Sequence, residues 1–172
     1  MENNQNEKQP TSIKDFRLIA DMMINSTQYL RQGREISLVH TNLQRCKMWL
    51  GKALGELGNP TPYANSENPA NNIIDKQAEH TESSLGLKFQ KLEQTHTARV
   101  KYFRTVCQNY IDDFNMFINA SESAGKKYDL YLQQSLLAME ESKMWLGWEL
   151  DRIRVYLENI DSPSTPYTEL PL

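Results

Sequence analysis

The chain has few of the residues on which several protein classes depend. Only two cysteines, Cys46 and Cys107, occur in 172 residues, and both fall inside helical apolar patterns. Two small buried thiols are therefore expected rather than a disulfide framework. No apolar run approaches the roughly 18 residues of a membrane-spanning helix, and Met1 to Pro10 lacks the apolar stretch of a signal peptide. A cytoplasmic protein with no membrane partner is the resulting expectation. Basic excess is missing too: 19 Lys and Arg stand against 22 Asp and Glu, a net charge of -3. That balance argues against the phosphate-tracking surface of a protein that binds long nucleic acid.

Chemistry-bearing patterns are equally sparse. His40, His80 and His96 form no H-x-x-x-H or Glu-x-x-His arrangement, so the ligand sets of zinc or di-iron helices are not present in sequence. His40 lies beside an apolar stripe and is expected to be a satisfied structural histidine. There is no glycine-rich phosphate loop, no nucleophile elbow, and no cysteine close to a histidine in sequence. The expectation is a protein that is not an enzyme and needs no cofactor or metal.

What the sequence does have is helical periodicity. Ile13, Phe16, Ala20, Met23 and Leu30 step by three and four, with Thr27 in the same series, which keeps one helix face toward a partner. Ser12 with Asp15 reads as a capping box, and Gly33 as the left-handed residue that ends a helix. A first helix is predicted from about 12 to 32. Ile36, Val39, Leu43, Cys46, Leu50, Ala53 and Leu57 continue the stepping in a second helix, folded back on the first across a short turn. Gly51 and Gly55, four apart, suggest a close helix crossing, since each otherwise costs a helix interior about 1 kcal/mol relative to Ala.

Residues 59–86 are rich in Asn, Pro and Ser, and Pro60, Pro62 and Pro69 forbid a continuous helix. They read as a linker or flap, with Tyr63, Ile73, Ile74 and Leu85 expected to pack on the helices. A third helix is predicted from about Leu87 to Ser121, carrying Phe103, Cys107, Tyr110, Phe114 and Phe117. A fourth, after Gly125, carries Leu132, Leu136, Met139, Leu146, Leu150, Ile153 and Leu157. The expected architecture is all-α: two antiparallel helical hairpins, 12–58 and 87–160, forming a helical bundle, joined by a Pro/Asn-rich linker and flanked by a flexible N-terminus, 1–11, and a Pro-rich tail, 161–172.

An internal repeat supports that division. Lys47-Met48-Trp49-Leu50-Gly51 recurs 96 residues later as Lys143-Met144-Trp145-Leu146-Gly147, and each run is followed by a proline-containing exit ending in Tyr63 or Tyr167. Duplication of a hairpin accounts for both. Arg34, Ser37 and Thr41 of the first copy correspond to Leu130, Gln133 and Leu137 of the second, so a polar face is expected in one copy only. Trp49, Trp145 and Trp148 are expected to pack.

The run Arg34-Glu35-Ile36-Ser37-Leu38, then Thr41-Asn42-Leu43 and Lys47-Met48-Trp49, resembles the helical hairpin of the phage anti-CBASS and anti-Thoeris sponge proteins. The resemblance spans about one helix, and the second copy keeps only the Lys-Met-Trp-Leu-Gly core. It implies a phage or prophage homo-oligomer that binds a cyclic nucleotide or cyclic ADP-ribose-type immune signal without cleaving it. Arg34, Ser37 and Thr41 are then the first ligand candidates, with Arg45, Lys47 and Tyr63 behind them. The alternative is a structural or protein-interaction module with no small ligand. The first reading requires Arg34 and the hydroxyls to converge on a cavity; the second predicts an exposed apolar strip.

Overall fold

A computed structural model describes residues 12–58, 73, 80–82, 88–90, 96–121 and 126–160. It is an all-helical bundle of four helices: α1 (Ile13–Ser26), α2 (Arg34–Glu56), α3 (His96–Ala120) and α4 (Lys126–Ile160). Contacts run between α1 and α2, between α3 and α4 and, most extensively, between α2 and α4. Expectations for Tyr63, Ile74, Leu85, the N-terminus and the C-terminal tail lie outside the described residues.

Helix α1 starts where the sequence places it. The Ser12 hydroxyl accepts from the Asp15 N–H and the Asp15 carboxylate accepts from the Ser12 N–H, which satisfies two of the orphan donors of a first turn. Its end differs from the expected residue 32: the α-helix stops at Ser26 and a 3-10 turn, Thr27–Tyr29, follows. The Ser26 and Thr27 hydroxyls donate back to the Met22 and Ile24 carbonyls, a local competition that favours a tightened last turn. Gly33 is not a left-handed cap. Its backbone is extended at φ -175° and it serves as the N-cap of α2. The glycine that does take positive φ is Gly58, at 70°, just beyond α2, where a residue without a Cβ is unstrained.

The expected start of the third helix near Leu87 is also corrected. Residues Lys88–Gln90 form a short strand, β2, paired antiparallel with β1 (His80–Glu82), Thr81 opposite Phe89. Leu85, Leu87 and Phe89 alternate with period two, which is a strand signal rather than a helical one. Ile73, expected to pack, does so: it is buried, its N–H donates to the Ser26 hydroxyl, and its carbonyl accepts from the Tyr102 hydroxyl.

The helices run antiparallel. On α1 and α2, Asp21 meets Lys47 and Thr27 meets His40; on α3 and α4, Gln108 meets Lys143. Between α2 and α4, Trp49 stacks on Tyr131, Cys46 meets Ser135 and Arg45 meets Glu141. Arg45 and Glu141 are 96 apart, the spacing of the repeat, so this one pair joins equivalent positions, as residues next to a two-fold axis do. That is the arrangement of a two-fold dimer, made within one chain. The core between the layers holds Phe16, Met23, Ile36, Leu43, Leu50, Phe103, Phe114, Met139 and Leu146, all fully buried. Phe16 sits among Tyr110, Phe114 and Phe117 with ring centroids 4.7 to 5.3 Å away, joining α1 to α3.

The geometry also exposes a correspondence between the first helices. Arg17 lies against Gly51 and Arg104 against Gly147, with guanidinium nitrogens 3.6 and 3.7 Å from where a Cβ would stand. Aligning Arg17 with Arg104 sets Ile13-Lys14-Asp15-Phe16-Arg17 over Val100-Lys101-Tyr102-Phe103-Arg104, and Ile24 over Ile111. The offset here is 87, not 96, which is why a comparison at the single offset of the Lys-Met-Trp-Leu-Gly run passes over it.

Candidate functional site

Arg34, Ser37 and Thr41 share one face of α2, since steps of three and four residues return to the same side of a helix. All three are exposed. The face begins at the N-terminus of the helix, where the first N–H groups have no helical carbonyl to bond and Gly33 has no side chain to cap them. A cation in a first turn opposes the helix dipole, yet Arg34 stands there without a hydrogen-bond or ion-pair partner among the described residues. The Thr41 hydroxyl donates to the Ser37 carbonyl.

The lower-ranked candidates are engaged elsewhere. Arg45 donates to the Asn42 carbonyl oxygen at 2.7 Å and to Glu141 at 2.6 Å, and Lys47 pairs with the buried Asp21 at 2.5 Å. Both are engaged in contacts between helices. Tyr63 lies outside the described residues. Trp49 is half-buried, stacked on Tyr131, with the Lys52 ammonium 4.2 Å over its ring. His40 is hydrogen-bonded to Thr27 and Gln44, as a satisfied structural histidine is expected to be. Cys46 and Cys107 are buried free thiols; burial pushes both up, so they stay protonated at neutral pH.

Two features were not singled out in the sequence. The first is an open cavity of about 600 Å³ between α3 and α4, lined from α3 by Arg104, Gln108 and Ile111 and from α4 by Glu140, Lys143, Met144, Gly147, Trp148 and Asp151. The second is a line of exposed apolar side chains on α4: Leu130, Leu137, Met144, Trp148 and Val155. Their spacing of seven, seven, four and seven keeps them on one face. Leu130 and Leu137 occupy the positions that Arg34 and Thr41 hold on α2, so this part of the face is polar on α2 and apolar on α4, while Met48 and Met144 are exposed in both. Periodicity misses such a stripe because it resembles a core face until the true core face, Leu132, Leu136, Met139 and Leu146, is known.

No helix is long and apolar enough to cross a membrane, as judged on the described residues. No family model, curated protein or solved structure matches the chain.

Proposed function

We propose that the chain is a duplicated helical hairpin that binds and sequesters a cyclic nucleotide or cyclic ADP-ribose-type signal without cleaving it, acting as a phage or prophage antagonist of host immune signalling. The observation that carries this reading is the N-terminus of α2: an unpartnered Arg34, open first-turn N–H groups and the Ser37 hydroxyl on one exposed face. A phosphate there would receive a planar guanidinium and backbone donors at the positive end of a helix. The motif resemblance of residues 34–49 supports the same face. Because the face is open in one chain, the ligand would be enclosed by a second copy, and the apolar line on α4 is the surface that would bring copies together.

The test is calorimetric titration of the full chain against cyclic dinucleotides, cyclic trinucleotides and cyclic ADP-ribose isomers, followed by chromatography of the recovered ligand. Tight binding with intact recovery is expected, and Arg34→Ala should weaken it at least about tenfold with helicity unchanged, the scale of one charge-assisted contact. A folded protein that gives no heat with any member of the panel would overturn the reading. One observation favours a second reading, a protein-interaction module without small ligand: the exposed line Leu130, Leu137, Met144, Trp148, Val155 is the strip that a partner helix would cover.

A further inference from the structure

We infer that the cavity of the second helix pair is a separate binding site, built for a nucleoside monophosphate. The inference starts from a comparison of equivalent positions. In the first pair, Lys47 is cancelled by Asp21 and both side chains are largely buried, at 16% and 4% exposure; Arg17 is buried. In the second pair the carboxylate is replaced by an amide. Lys143 donates to the Gln108 carbonyl oxygen, a partner that orients the ammonium without neutralising it. Arg104, equivalent to Arg17, is exposed and has no hydrogen-bond or ion-pair partner among the described residues. Among the described residues neither cation has a carboxylate in ion-pair reach, and both line one cavity that Glu140 and Asp151 also line.

The second exchange adds a ring. Where the first pair has Lys52 folded over Trp49, the second has Trp148, whose side chain is 57% exposed at the cavity edge. It touches Trp145 edge-on, with centroids 5.0 Å apart and planes 65° apart, so the neighbour props the ring and leaves a face open. An indole face and the Met144 thioether accept a flat heterocycle, while the ammonium and guanidinium accept a phosphate. Gly147 and the buried Ile111 keep the wall low. Glu140 and Asp151 in the lining disfavour a polyanion but can accept from an exocyclic amine or ribose hydroxyls, which narrows the ligand to a single phosphate on a nucleoside. The volume of about 600 Å³ suits a ligand of that size.

The cavity shares Met144 and Trp148 with the apolar line on α4 but no residue with the α2 face, so the oligomeric state of each variant is read alongside binding to separate the two. Titrating the full chain with adenosine and guanosine monophosphates, with the nucleosides and with inorganic phosphate should give saturable binding for the monophosphates alone in the range below about 1 mM. The double substitution Gln108→Asp with Trp148→Lys installs residues that the first pair already tolerates at equivalent positions, so the fold is preserved. It should weaken monophosphate binding at least about tenfold, whereas Arg34→Ala should leave it unchanged. Absence of saturation up to about 5 mM with folded protein, or binding indifferent to the double substitution, would overturn the site; equal binding of nucleoside and monophosphate would overturn its cationic half.

Discussion

Glu149 is fully buried on α4, and its surroundings decide its charge. Arg152 donates to it twice, at 2.8 and 2.9 Å, and His96 once at 2.8 Å. The Arg31 N–H donates to His96 Nδ1, which leaves Nε2 as the ring donor toward Glu149. Burial alone would push the carboxyl up; the hydrogen bonds from Arg152 and His96 more than offset it, so Glu149 titrates below the ordinary Glu range. A lowered folded value stabilises the protein above the unfolded pKa, and that stability is lost as pH falls through the folded one. Glu149→Gln should therefore cost about 1–3 kcal/mol at pH 7, moderated by the exposure of Arg152. Urea unfolding should show the gap between wild type and variant narrowing as pH falls below the ordinary carboxylate range and closing once it has passed through the lowered folded value; a gap that persists in strong acid would refute the ionised network. Sequence spacing gave His96 and Glu149 no metal-site pattern and could not show that they pair, because they lie on different helices and only packing brings 96 to 149. Arg34, Ser37 and Thr41 could be placed on one face from spacing alone, but whether Arg45 and Lys47 stayed available depended on Glu141 and Asp21.

At the scale of an element, helix existence and facing were legible and helix ends were not. The stepping of three and four picked out the buried faces of α1, of α2 as far as Ala53 and of α4 as far as Leu146, since a helix must hide an apolar stripe wherever it is covered, but Leu57 and Leu157, at the far ends of the same series, are exposed. Ends were decided by local competition: Ser26 and Thr27 bonding backward, and a period-two run before α3. The glycines of α2 are a further case. A close crossing was expected at Gly51 and Gly55, yet a Cβ at Gly55 would meet nothing within 4 Å, and at Gly51 would make only ordinary contact with the buried Arg17 side chain at 3.6 Å. Both positions are helical with room to spare. Gly55→Ala should raise unfolding stability by about 0.5–1 kcal/mol, through helix propensity and a less flexible unfolded chain. A loss of stability in chemical denaturation would reinstate the close crossing. By contrast, Ser12→Ala removes the hydroxyl half of the capping box and should cost about 1 kcal/mol.

The whole molecule is organised around α2 and α4, the two helices that carry the repeated Lys-Met-Trp-Leu-Gly run. The repeat was visible in sequence, but not that its two copies would pack on each other, because the residues joining them are a dispersed set: Cys46 with Ser135 at 3.1 Å, Cys46 with Tyr110 at 3.5 Å, and Arg45 with Glu141. The ion pair contributes little, its side chains being 41% and 33% exposed; a double-mutant cycle on Arg45 and Glu141 should return no more than about 1 kcal/mol. Apolar burial between the copies is the stronger tie. As the α2–α4 contact exceeds that within either pair, neither pair keeps its core when the other opens, and the chain should unfold as one unit. Leu146→Ala on α4 empties a fully buried site and should cost about 2–5 kcal/mol. Native-state hydrogen exchange should then show protection falling by the same free energy in α1 and α2 as in α3 and α4. Protection that falls in α3 and α4 alone would mean that the copies are two domains in contact rather than one core.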